Sequence, residues 1–170
     1  EEAISRIRVD YEVLPAVFDP LVAMKPGAPV IHEEVPNNIS ASIRKEFGNV
    51  ERAFSESDFI FEDTFDTQAV NHCPLEPQAA IGMADHSGKV TLWSSTQIPF
   101  FLRRNLATTL DIPESKVRII KPKVGGGFGQ KIDLYAKDFC AAFFAIKTKK
   151  PVKFVYEREE MFTSTRQRHP

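Results

Sequence analysis

Apolar side chains alternate with polar ones at Ile7, Val9, Tyr11 and Val13, which predicts a strand near the start of the chain. Phe59, Phe61 and Phe65 alternate less regularly and predict a second strand over residues 59–67. Residues 79–83 and 89–94 flank Asp85-His86-Ser87-Gly88, a turn sequence that predicts a hairpin. Phe100, Phe101, Leu102, Leu106 and Leu110 supply the apolar residues of a helix over residues 99–110, with Pro99 suited to its first turn. Residues 117–120 read as a strand. A second helix over residues 134–146 carries Phe139, Ala142, Phe143 and Ile146, enough apolar surface to imply burial. Residues 152–156 form a closing strand, 50–55 a short helix, and 157–160 a solvated turn. This order supports an α+β domain with a mixed β-sheet and two main helices.

Residues 15–40 hold five prolines, Pro15, Pro20, Pro26, Pro29 and Pro36, with little periodicity. Proline fixes φ and donates no hydrogen bond, so an extended surface connector is expected. Residues 1–40 therefore read as a strand plus connector and residues 41–170 as the beginning of the main domain. The absence of an initiator Met and the ending at Arg168-His169-Pro170 suggest a piece of a longer polypeptide or a processed subunit.

A chain of 170 residues with 42% hydrophobic and 26% charged residues can bury one ordinary core. The formal net charge of −1 gives no general attraction to nucleic acid or an anionic membrane. No apolar run approaches the length of a membrane span. Two cysteines, Cys73 and Cys140, make no disulfide framework, so a cytoplasmic setting is expected.

Chemistry concentrates at Lys121-Pro-Lys-Val-Gly-Gly-Gly-Phe-Gly-Gln-Lys131. Glycine opens backbone dihedrals closed to other residues and lets N–H groups approach a ligand. A glycine loop between a strand and a helix is a natural holder of an anion or polar cofactor. Two familiar loops are excluded. Gly129 is followed by Gln130 and no hydroxyl follows Lys131, which rules out a Walker A loop. Gly125, Gly127 and Gly129 are one residue short of a dinucleotide fingerprint, and residues 147–156 offer no acid for a ribose. A bare tight turn is the competing reading of the same glycines.

Elsewhere, His72, Cys73 and Glu76 resemble a metal cluster only on paper, since no second cluster has ligand spacing. A hydrogen-bonded turn fixed by Pro74 and Pro77 explains His72 and Glu76 better. Cys140, between Phe139 and Ala141, reads as a small core residue. Ser94, Ser95 and Thr96 are hydroxyls at a strand end, which usually bond backbone.

Four stretches together resemble the large, molybdopterin-binding subunit of the molybdenum hydroxylases, the xanthine dehydrogenase and aldehyde oxidase family. They are residues 68–77 (Gln, His, then Leu-Glu-Pro), Ser95-Thr96-Gln97, residues 124–131, and residues 165–170 ending Arg-x-Arg-His-Pro. Residues 11–17 also look like the family's exit from a small α/β domain, and the bacterial multi-subunit branch is the nearest in appearance. The resemblance implies part of an enzyme that hydroxylates a carbon beside a ring nitrogen, or an aldehyde, with oxygen from water. It implies a molybdenum–molybdopterin cofactor, in its plain or cytosine dinucleotide form, with the protein supplying position and electrostatics. Iron–sulfur clusters and FAD on partner subunits or domains, the remainder of the molybdenum subunit and a homo-oligomer of the complete enzyme are implied as well.

By that resemblance Gly126, Gly127 and Phe128 match the loop whose backbone approaches the metal and dithiolene. Gln68 matches the glutamine that bonds a molybdenum oxo ligand, while counting back from Leu75-Glu76 puts Val70 in the same place. Ile132 stands where purine-hydroxylating relatives carry a Glu, and Gln130 replaces the more usual Gly. The catalytic base of the family belongs to a Gly-Glu motif further on than Pro170, so no catalytic residue is expected here and the isolated chain is expected to be inactive. A non-catalytic nucleotide- or anion-binding module using the Gly125 to Gly129 loop, or a purely structural domain, are the alternatives.

Overall fold

The computed structural model describes residues 2–169. It divides into two units, Glu1–Glu62 and Asp63–Pro170.

The first unit holds three short helices, α1 (Glu2–Ser5), α2 (Pro20–Ala23) and α3 (Val50–Glu56). The strand expected at residues 7–13 does not form, nor does the one at residues 59–67. Their alternating side chains stay exposed: Val13 is 92% accessible and Phe61 92%. A strand exists only through a hydrogen-bonded partner, and among the described residues these segments have none. The proline-rich connector is also less extended than its composition suggests. Asp19 caps α2 by accepting from Leu21 N and Val22 N, with Pro20 at the first helical position. Asn38 then closes the following loop, donating to Ala23 O at 2.9 Å and Pro29 O at 3.0 Å while accepting from Ile31 N at 2.9 Å. The short helix expected near Val50 forms as α3, capped by Asn49.

The second unit is an α+β domain on a four-stranded mixed sheet in the order β3-β2-β1-β4. The expected hairpin is β1 (Ala79–Ala84) and β2 (Val90–Ser94), antiparallel, with Ala84 opposite Val90. Helix α4 (Pro99–Thr109) carries the chain to β3 (Val117–Ile120), which pairs with β2 in parallel. Helix α5 (Ala136–Thr148) follows the glycine loop, and β4 (Val152–Val155) adds to the other edge, antiparallel to β1. The chain then turns into α6 (Arg158–Thr163).

Residues 157–160 are solvent-exposed as expected, but they open a helix rather than a turn. Glu157 and Glu160 make a reciprocal capping box, and Met161 is completely buried. The period of two in β2 turns Val90, Leu92 and Ser94 inward. Val90 and Leu92 meet Leu102, Leu106 and Ala107 of α4 and Ala141 and Ala142 of α5. Helix α5 lies unusually close to β1, since a Cβ on Gly82 would stand 2.6 Å from the Ala141 carbonyl carbon. Where the inward row of β2 becomes polar at Ser94, α5 answers with buried Lys137 and Asp138. This packing fixes the start of α5, and with it the C-terminal end of the glycine loop.

Candidate functional site

The loop between β3 and α5 has a rigid rim. At its start, Gly125 N donates to the Glu76 carboxylate at 3.0 Å, and Glu76 N donates to Gly125 O at 3.1 Å. At its end, the Lys131 ammonium donates to Glu76 O at 2.9 Å and pairs with the same carboxylate. The Lys131 side chain has no solvent exposure, whereas that of Glu76 is about one third exposed. Gln97 grips the same end, donating from its backbone to Lys131 O at 2.8 Å and accepting from Lys131 N at 3.2 Å.

Gln130, fully buried, anchors the loop from below. Its side-chain amide donates to Thr165 Oγ1 at 2.7 Å and to Asn71 Oδ1 at 3.3 Å. Thr165 in turn donates to Met161 O, so its remaining lone pairs accept from Gln130. Tyr135 donates its hydroxyl to Gln130 O and accepts from Arg166 N at 3.2 Å. Burial raises the Tyr135 pKa, which keeps the phenol protonated as a donor. Val70 and Arg168 exchange backbone hydrogen bonds of 3.2 and 2.9 Å. Arg158 ties α6 to the Pro-Leu-Glu-Pro turn through Pro74 O at 2.9 Å and Leu75 O at 3.0 Å.

All four stretches singled out in the sequence therefore converge. Residues 68–77 contribute Asn71 and Glu76, residues 95–97 contribute Gln97, residues 124–131 form the loop, and residues 165–170 contribute Thr165 and Arg168.

Inside the rim the loop is different. Among the described residues, no acceptor pairs with the backbone N–H groups of Gly126, Gly127, Phe128 or Gly129. Four successive amides thus keep their donor capacity. A Cβ on Gly127 would collide with Gln97, standing 2.6 Å from its Cδ. Gly126, at φ +92°, would bring a Cβ within 2.9 Å of the Phe128 ring. The missing side chains make room for the chain's own packing, and the amides stay available. Phe128 has φ +52° and is 63% exposed at the tip, a conformation disfavoured for a bulky L-residue.

Gln68 is exposed, and among the described residues it makes no hydrogen bond to the loop. Val70, the alternative at that place, is spent on its bridge to Arg168. Cys73 is exposed, and no group of three metal-ligating side chains occurs among the described residues. His72 lies near the loop, with Nε2 3.6 Å from where a Gly129 Cβ would be, and among the described residues its buried Nδ1 has no side-chain hydrogen-bond partner. Burial and then the Arg168 charge lower its pKa, so neutral imidazole is favoured. Glu76, read from sequence as part of a local turn, instead reaches across to the loop. Lys131 and Gln97 fall within the stretches that carry the family resemblance, but nothing in their own chemistry marks them as the anchors of the loop.

A second polar cluster lies under the sheet. The Lys137 ammonium donates to both Asp138 oxygens at 2.8 and 2.9 Å and to Ser94 Oγ at 3.1 Å. All three ammonium hydrogens are used, so the cluster is structural. Burial nevertheless lowers the Lys137 pKa, with Asp138 opposing the shift.

A clamped loop presenting successive main-chain donors is chemically suited to a polar or anionic group. The chain belongs to the molybdopterin cofactor-binding domain family, whose model matches residues 31–170. It is similar to the nicotinate dehydrogenase large molybdopterin subunit of Eubacterium barkeri, at 40% identity over 170 residues, 100% of this chain and 39% of that protein. It is also similar to a probable hypoxanthine oxidase of Escherichia coli O157:H7, at 32% identity over 203 residues, 99% of this chain and 21% of that protein. Its fold matches reconstituted CO dehydrogenase from Oligotropha carboxidovorans with a TM-score of 0.83 and 32% identity, over 98% of this chain and 22% of that one. The chain thus spans well under half the length of the curated relatives it matches. No helix among the described residues is long and apolar enough to cross a membrane.

The donor set fits the family's cofactor. Four backbone N–H groups without acceptors suit a ligand rich in oxygen, sulfur and ring-nitrogen acceptors, and the one carboxylate at the rim is already neutralised by Lys131.

Proposed function

We propose that this chain is part of the molybdenum-binding subunit of an oxidoreductase that hydroxylates an N-heterocycle of xanthine, hypoxanthine or nicotinate type, or an aldehyde. The group it would hold supplies two-electron oxidation of a carbon–hydrogen bond with oxygen drawn from water. The chain's own contribution is to orient that group. Gly126, Gly127 and Phe128 donate main-chain hydrogen bonds to it, Gly129 extends the row, and Gln68 adds a side-chain amide once its exposed segment is covered. Amides fixed in advance stabilise charge that grows during reaction without reorganising, worth about 3 kcal/mol per donor in comparable sites.

The observation that carries this reading is the row of four amides without acceptors inside a loop whose two ends are fully bonded. The same reading makes residues 1–40 a connector from a preceding small domain and residues 41–170 the first part of the cofactor domain. It assigns the catalytic base to another part of the protein, so the 170-residue chain alone is inactive. It includes iron–sulfur and FAD partners, a pterin in plain or cytosine dinucleotide form, a homo-oligomeric complete enzyme and a cytoplasmic setting.

The test is a Gly127→Val variant of the complete native protein, assayed for molybdenum and pterin content. Loss of both at retained secondary structure is expected. Wild-type molybdenum content would overturn the assignment of this loop, and tight binding of ADP or phosphate by a pterin-free protein would favour the anion-binding module.

A further inference from the structure

Glu76 is a single residue that closes the glycine loop at both ends. Its backbone N–H and its carboxylate hold Gly125, at 3.1 and 3.0 Å. Its carbonyl and the same carboxylate hold the Lys131 ammonium. Between these two anchors lie residues 126–130, four of which carry the amides without acceptors. The ammonium has no solvent exposure, so it depends on protein oxygens for its solvation. Gln97 supports the same end from the other side, through Lys131 N and O.

Every bond of this rim is made within the chain. The loop therefore reaches its shape before any ligand arrives, and binding need not order it. We infer that Glu76 is a positioning residue, acting with Lys131 as a clamp that presets the height and direction of the loop amides. This rests on the cofactor-loop reading above, but it concerns a different set of atoms, those facing away from the ligand.

The two can be separated by amide hydrogen exchange on the complete native protein, with the cofactor loaded and stripped. The clamp is read at Gly125, Gln130 and Lys131, whose N–H groups are bonded within the chain. The cofactor reading is seen at residues 126–129, where protection must come from the ligand. In stripped protein, Glu76→Gln leaves Lys131 buried with no counter-charge. Exchange at Gly125, Gln130 and Lys131 is expected to accelerate roughly 10- to 100-fold. Pairing it with Lys131→Met removes the stranded charge and should restore part of the protection. Glu76→Asp keeps the charge on a shorter arm and should fall between, while exchange along α5 reports whether each variant is folded. Wild-type exchange rates in folded, stripped Glu76→Gln would overturn the clamp, even where loading still protects residues 126–129. Absence of loading-dependent protection in the wild type would overturn the cofactor reading and leave the clamp intact.

Discussion

The side-chain amide of Gln97 occupies the space that any side chain on residue 127 would need. A Cβ there would lie 2.6 Å from Gln97 Cδ and 3.1 Å from Cγ. Gln97 cannot simply swing away, because its Oε1 also accepts from Lys131 N. Gly127→Ala should therefore cost about 1–3 kcal/mol through overpacking. Combining it with Gln97→Ala opens the space and should recover part of that loss. Urea denaturation of the two single variants and the double variant checks this; strict additivity would show that the two residues do not compete.

Asp138 carries the opposite kind of prediction, since it neutralises a buried cation. Asp138→Asn leaves the Lys137 ammonium without a carboxylate and should destabilise the fold by about 3–5 kcal/mol. Burial already depresses the Lys137 pKa in the folded state. Between that lowered value and the ordinary lysine value, the unfolded chain binds more protons than the folded one, so stability rises with pH. The variant should therefore regain stability as pH climbs through the alkaline range, measured as the urea midpoint. A variant whose midpoint is flat with pH would contradict the role of burial.

His72 works in the acid range. Its folded pKa is lowered first by burial and then by the Arg168 charge, with the Arg166 backbone opposing the shift. Below the ordinary histidine value of about 6.5 the unfolded chain takes up a proton that the folded one resists. Stability should fall as pH drops from there toward the depressed value and then level off. His72→Gln should flatten that part of the profile in thermal melts against pH; an unchanged slope would assign the acid sensitivity to other groups.

Phe128 holds a left-handed backbone at φ +52° with its ring largely exposed. Phe128→Gly relieves that strain, worth about 1–2 kcal/mol, against about 0.5–1 kcal/mol of added chain entropy. The melting temperature is expected to hold or rise while molybdenum retention declines. A fall in both would indicate that the ring stabilises the domain.

Much of the second unit was legible in the sequence because its signals are local. The hairpin at Asp85-Gly88, the helix opened by Pro99 and the apolar helix around Ala142 all lie where patterning puts them. The failures share one cause. Ile7 to Val13 and Phe59 to Phe65 alternate correctly, but alternation specifies only that a segment can pair, and no partner stands beside them among the described residues. Residues 157–160 are exposed as their charge predicts, but the helix they open goes unseen because the capping box between Glu157 and Glu160 is a three-residue relation among acids.

For the site, the loop was visible and its frame was not. Three consecutive glycines announce themselves. The bonds from Glu76 to Lys131 and from Gln130 to Thr165 span 55 and 35 residues, and no spacing rule reaches that far. Gln68 shows the complementary limit, because a motif position does not say what its side chain touches, and here that side chain is exposed.

An experimental structure of the complete protein with its molybdenum cofactor bound tests the loop's role with the fewest intermediate steps. At least one cofactor acceptor atom should lie about 2.7–3.2 Å from the backbone nitrogen of Gly126, Gly127, Phe128 or Gly129. A bound cofactor seated away from this loop, with those four amides facing bulk solvent, would contradict it.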